Sequence, residues 1–124
     1  MTRILIVDDA ATVRRYHRTI LEGAGYLVEE AVNGVEALES ALKQPFALYL
    51  VDVNMPKLDG YGFLRQLRGR EELSQAPALM VSTEAADDDR TRAYAAGANL
   101  YLVKPVKPEE LLLNCRLLLG EVYP

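Results

Sequence analysis

Asp8 and Asp9 close one apolar run, Ile4-Leu5-Ile6-Val7, and Asp52 closes another, Ala47-Leu48-Tyr49-Leu50-Val51. Short apolar runs of this kind read as buried strands. Carboxylates carried on strand ends into one dry place would repel each other and resist desolvation unless a positive charge sat between them. A third run, Ala78-Leu79-Met80-Val81, ends in the hydroxyl of Ser82, and a fourth, Leu100-Tyr101-Leu102-Val103, ends in the ammonium of Lys104. Carboxylates, a hydroxyl and an ammonium at strand ends describe a site for an oxyanion and a hard cation. Oxygen ligands from Asp8, Asp9 and Asp52, with a backbone carbonyl near Asn54, favour magnesium or manganese over zinc. Magnesium shares its coordination positions with phosphate, and Lys104 can neutralise the opposite edge of a phosphoryl group. Asp52 then becomes a nucleophile that forms an acyl phosphate, with Ser82 hydrogen-bonding a phosphoryl oxygen.

Bringing these residues together requires strands that alternate with helices. The helical period predicts a first helix over Ala11 to Gly23, with Val13, Tyr16, His17, Ile20 and Leu21 on its apolar face and Arg14, Arg15 and Arg18 opposite. Tyr26 to Ala31 reads as a strand, and Asn33 with Glu36 as a capping pair for a helix whose stripe is Val35, Leu38, Ala41 and Leu42. A loop, Met55 to Gly60, precedes a helix buried through Phe63, Leu64 and Leu67. The last two strand–helix units follow Pro77 and Gly97. Strand and helix thus alternate five times, and right-handed crossovers build a parallel sheet with helices on both faces. Ligands of such sheets bind beyond the carboxyl ends of the strands. In the final helix Leu111, Leu112, Cys115, Leu118 and Leu119 form one apolar arc, and Leu113 and Leu117 fall outside it. That pair reads as a partly exposed anchor for a partner or a second copy. The competing reading is that a neighbouring loop or the tail around Val122 and Tyr123 covers it.

The 124 residues make one domain, 1–124. No apolar stretch reaches membrane-spanning length, and Met1-Thr2-Arg3 runs straight into a strand rather than a signal peptide, so the cytoplasm is the expected location. The single cysteine, Cys115, cannot form an internal disulfide and is expected to pack a helix. A net charge of -4 argues against direct nucleic-acid binding. With His17 as the only histidine, a His-based zinc site or a Ser-His triad is excluded. The end, Gly120 to Pro124, lacks linker composition, and a single-domain protein is expected.

Asp8-Asp9, Asp52, Asn54-Met55-Pro56, Asp59-Gly60, Ser82 and Lys104-Pro105 together resemble the signature of two-component response regulator receiver domains, over essentially the whole chain. Within that family Met80-Val81-Ser82-Thr83-Glu84-Ala85 and Tyr101 look most like the chemotaxis regulators of the CheY type. The resemblance implies a flavodoxin-like (βα)5 three-layer sandwich with a parallel five-stranded sheet. It implies a switch in which Asp52 takes phosphate from a phosphohistidine on a sensor histidine kinase or phosphotransfer protein and alters binding of a downstream effector or a second copy. Asp9, Asp52 and the Asn54 carbonyl would hold magnesium, with Asp8 acting through water. Ser82 and Tyr101 would be the switch pair and Lys104 the phosphate contact. Asn54, Thr83 and Glu84 would tune hydrolysis, Thr83 being bulkier than the small residue usual there.

Competing readings are a small phosphatase of the haloacid dehalogenase type with an aspartyl-phosphate intermediate and, more weakly, a flavin-binding domain. The first lacks its second acid, since Asn54 cannot transfer the proton. Blander roles also exist for single residues: Asp9 as a helix N-cap, Ser82 as a turn former, Tyr101 as core packing. Asp87-Asp88-Asp89 reads as first-turn acid rather than a metal site.

Overall fold

A segment apolar on both sides is satisfied only between two helical layers, and this is where the apolar runs go. In the computed structural model, which describes residues 1–121, the strands are β1 (Arg3–Val7), β2 (Leu27–Ala31), β3 (Leu48–Asp52), β4 (Ala78–Ser82) and β5 (Leu100–Val103). They alternate with α1 (Ala11–Gly23), α2 (Gly34–Lys43), α3 (Gly60–Arg68), α4 (Asp87–Ala96) and α5 (Pro108–Leu119). The sheet runs β2-β1-β3-β4-β5 with every pair parallel. This is the flavodoxin-like three-layer sandwich. Strand order reverses between β1 and β3, so their carboxyl ends flank the crevice where open sheets of this type hold ligands.

Side chains alternate across the sheet and fill two separate cores. Ile4, Ile6, Leu48, Leu50, Leu79 and Val81 pack with Leu21 of α1 and with Leu111 and Cys115 of α5. Leu5, Val7, Tyr49, Val51 and Met80 face the other layer, onto Leu38 of α2, Phe63, Leu64 and Leu67 of α3, and Ala93 and Ala96 of α4. Burial of each large apolar side chain stabilises the fold by about 1.5–3 kcal/mol. The carboxyl ends of the strands can therefore carry polar groups without loss of the fold.

Some expectations shift. β2 starts at Leu27, because Tyr26 is still in the turn out of α1, its N–H donating to the Leu21 carbonyl. On α1, His17 and Leu21 are buried but Tyr16 is exposed, its hydroxyl reaching the Val106 carbonyl. In α2 the face toward the sheet is centred on Ala37, Leu38 and Ala41, which leaves Val35 and Leu42, seven residues apart, exposed together along one edge of it. Asn33 caps α2 as expected, accepting the Glu36 N–H at 2.8 Å. Asp87, Asp88 and Asp89 occupy the first turn of α4, where they meet the positive end of the helix dipole. Leu113 and Leu117 are 55% and 64% exposed. Val122 and Tyr123, considered as their cover, lie outside the described residues. No helix among the described residues is long and apolar enough to cross a membrane.

Candidate functional site

Asp8 leaves β1 tightly held. Its N–H donates to the Ala31 carbonyl at 3.1 Å, and its Oδ1 accepts the Ala10 N–H at 2.9 Å. The Asp9 side chain is exposed and makes no hydrogen bond among the described residues. It does not cap α1, whose N-cap is Ala10 without a side-chain bond. Asp52 ends β3 and is 9% exposed. The next turn is shaped around it. Asp59 caps α3 by accepting the Gly62 N–H at 2.8 Å, and the Gly60 N–H donates to the Val53 carbonyl at 2.8 Å. A Cβ on Gly60 would lie 2.2 Å from the Asp52 carbonyl oxygen, so only glycine lets α3 start this close to β3. That explains the Asp59-Gly60 pair in the sequence.

Oxygens of Asp8, Asp9 and Asp52 lie within 4.8 Å of one another. Lys104 extends from the end of β5 into this cluster, its Nζ 2.8 Å from Asp8 Oδ2 and 3.2 Å from Asp52 Oδ1. One ammonium faces three carboxylates. Burial, and then the charge of Asp8, push the Asp52 carboxyl up to about 6, against the opposing charge and hydrogen bond of Lys104. For Lys104, burial acts to lower the pKa, but its bonds and charges with Asp8 and Asp52 together hold it above the usual lysine range. The cluster is short of positive charge and offers oxygen alone, the donor set that suits a hard divalent cation.

Ser82 is fully buried, and its Oγ accepts the Glu84 N–H at 3.1 Å. It does form a turn, yet its hydroxyl donates to no other group among the described residues. The Glu84 carbonyl in turn accepts the Tyr101 hydroxyl at 2.7 Å, and Tyr101 is 3% exposed. Ser82 and Tyr101 are thus joined through one residue, Glu84. Arg90 of α4 lies 5.2 Å over the Tyr101 ring and donates to the Tyr101 carbonyl at 3.2 Å. The Asn54, Thr83 and Glu84 residues are exposed around the crevice.

Beside Lys104 opens a recess of about 630 Å³ lined by Thr12, Val13, Tyr16, His17, Thr83, Lys104, Pro105 and Val106. Burial, and then the charge of Lys104, lower His17 to about 4 although Asp8 acts to raise it. Its imidazole is neutral at pH 7. Leu113 and Leu117 are not part of this cluster or its recess.

Two residues escaped sequence reasoning. Arg14, expected on the solvent face of α1, folds over onto β2, its Nε 2.8 Å from Glu30 Oε1 and its NH1 2.8 Å from the Asp8 carbonyl. The available signal was Glu30 itself, an acid in the strand that pairs with β1 and within reach of a long side chain. Arg90, hidden in a polar helix, had no such signal.

A doubly wound parallel sheet with this constellation at its switch point defines an α/β domain whose crevice gathers three carboxylates and an ammonium. Residues 4–116 match the response regulator receiver domain family, and the chain belongs to it. It is 38% identical over 118 residues to the transcriptional regulatory protein ResD of Bacillus subtilis, covering 95% of this chain and 48% of that protein. With SrrA of Staphylococcus aureus it shares 36% over 116 residues, 94% of this chain and 47% of the relative. The chain spans about half the length of these curated relatives. The chemotaxis response regulator CheY4 of Vibrio cholerae superposes with a TM-score of 0.89 at 37% identity, covering 95% of this chain and 98% of that one. The receiver domain of a Pseudomonas aeruginosa sensor histidine kinase, solved with magnesium coordinated in its active-site cleft, gives 0.89 at 32% identity, covering 97% and 98%. Nothing in these comparisons favours the phosphatase alternative.

Proposed function

We propose that this receiver domain works as a phosphorylation-activated switch in which Asp52 is the phosphoryl acceptor. The convergence of Asp8, Asp9, Asp52 and Lys104 carries the reading. Asp52 Oδ attacks phosphorus as the P–N bond of a donor phosphohistidine breaks. The electron pair leaves with the imidazole, which takes a proton from solvent, and an acyl phosphate remains. Asp9 and Asp52, with the Asn54 carbonyl and with Asp8 through water, would hold a magnesium or manganese ion. Such an ion neutralises charge on the phosphoryl oxygens. Lys104 balances the other edge, and the Ser82 hydroxyl donates to a phosphoryl oxygen while still accepting the Glu84 N–H. Through the Glu84 carbonyl this event reaches Tyr101, and the population shifts between two arrangements of the β4–α4 segment. Asn54, Thr83 and Glu84, exposed at the crevice mouth, set access for hydrolytic water.

The donor is a sensor histidine kinase or phosphotransfer protein, met in the cytoplasm. The output goes to an effector, for which the transcriptional regulators among the relatives suggest one class, or to a second copy. Leu113 and Leu117, an exposed i, i+4 pair on α5, are the proposed contact. The deciding experiment is incubation with acetyl phosphate and magnesium followed by intact mass spectrometry. One phosphoryl mass is expected on the wild type, none in chelator and none on Asp52→Asn; a variant labelled at the wild-type rate overturns the assignment. Leu113→Ser with Leu117→Ser should abolish association induced by a phosphate mimic while leaving labelling unchanged.

A further inference from the structure

We infer that Arg14, aligned by Glu30, is a positioning residue for the cation site, acting on the peptide that joins Asp8 to Asp9. The inference rests on the cation reading of Asp8, Asp9 and Asp52.

Both carboxylates hang from that one peptide, and its carbonyl oxygen is the atom that Arg14 NH1 grips at 2.8 Å. The other side of the Asp8 backbone is anchored through its N–H to the Ala31 carbonyl. The guanidinium is itself fixed, with Nε 2.8 Å from Glu30 Oε1 and the Arg14 side chain only 15% exposed. Arg18 NH1 takes the second Glu30 oxygen at 2.6 Å, so the Glu30 carboxylate is clamped from both sides. Burial acts to raise the Glu30 carboxyl, but the two guanidiniums outweigh it and keep the group ionised. A planar fork that binds a carbonyl with one N–H and a carboxylate with another sets an orientation, which a lysine cannot copy. Edge strand β2, which contributes no ligand, is thereby coupled to the cation.

Charge and position make opposite predictions. Arg14 is a cation near a cation site, so by charge alone its removal should tighten magnesium binding. If its role is to aim Asp8 and Asp9, removal should weaken binding by roughly tenfold, the lower end of what outer partners of metal ligands contribute.

The test is a calorimetric magnesium titration of the whole chain, with melting in chelator as the readout of fold. Arg14→Gln and Arg14→Lys should both weaken binding by about tenfold while still melting cooperatively. Arg18→Gln, which shares Glu30 without touching Asp8, should bind as the wild type does. Unchanged or tighter binding by Arg14→Gln overturns the inference, as does wild-type affinity in Arg14→Lys, which would show that the planar fork does not set the orientation. Should Arg14→Gln fail to fold, Glu30→Ala must still weaken binding, and wild-type affinity there is equally fatal. A folded wild type that takes up no magnesium refutes the cation reading, and this inference falls with it.

Discussion

Helices α3 and α4 lie on the same face of the sheet and are attached to it in different ways. α3 buries Gly60, Tyr61, Gly62, Phe63, Leu64 and Leu67, whereas α4 buries only Ala93 and Ala96. What holds α4 is largely at its surface. Arg92 lies 4.6 Å over the Tyr61 ring, Arg90 lies 5.2 Å over that of Tyr101, and Tyr61 OH makes a long 3.4 Å bond to the Asp89 carbonyl. Regions with few buried apolar contacts open at lower free energy. The helix after Asp52 is therefore a fixed floor for the site, and the helix after Ser82 is the part whose position can respond.

The sharpest way to break this contrast is to truncate both helices. Phe63→Ala should destabilise by about 3–5 kcal/mol, and Tyr94→Ala, at 47% exposure, by no more than about 0.5 kcal/mol. Native-state hydrogen exchange should show α4 amides opening well before those of α3; equal protection would dismiss the distinction.

Next in size is a pH effect that separates the two sides of the Lys104 ammonium. Asp52 stands at about 6 against an ordinary 3.8, so the folded state binds its proton more tightly than the unfolded state does. Its contribution is fully present below 3.8 and is lost as pH rises through 6. His17 stands at about 4 against 6.5, so its contribution is present above 6.5 and is lost as pH falls through 4. In chelator the two oppose each other over the same window. Relative to wild type between pH 6.5 and 4, Asp52→Asn should lose stability on acidification and His17→Leu should gain it. Each difference should be on the order of 2 kcal/mol, which allows for the coupling of both groups to Lys104. Parallel pH curves for the three proteins would mean that neither group is perturbed.

Smaller effects sharpen the same picture. Arg90→Ala should cost about 1 kcal/mol and shift the Tyr101 ring resonances, because the cation over the ring and the bond to the Tyr101 carbonyl go together. Unchanged ring shifts would show that α4 does not restrain Tyr101. Thr83→Ala, at an exposed position lining the recess, should leave stability within about 0.5 kcal/mol while speeding transfer from a protein donor. Equal transfer rates for both proteins would remove the steric idea.

The acidic cluster and Lys104 were legible in the sequence because each ends an apolar run, and a parallel sheet carries all such ends to one edge. The buried stripe of α3 was legible too, since Phe63, Leu64 and Leu67 keep a helical period. Amphipathic residues were harder to read. Tyr16 looks apolar in a helical pattern, yet its hydroxyl draws it outward to the Val106 carbonyl. Arg14 looks solvated, yet its long stem lets the guanidinium fold onto Asp8 and Glu30. Periodicity places a Cα on a helix face, and the side chain's reach then decides what it touches.

The division of the interior into two cores by the sheet has a consequence for how the molecule can change over evolutionary time. Leu21, Leu111 and Cys115 share no core with Phe63, Leu67 or Ala93, since strand backbone stands between them. Substitutions on opposite sides should combine additively, as separated sites generally do. The surface of α1 and α5 can then drift toward one set of partners and that of α2, α3 and α4 toward another. Asp8, Asp52, Ser82 and Lys104, at or just beyond the ends of the strands, stand where the two sides meet.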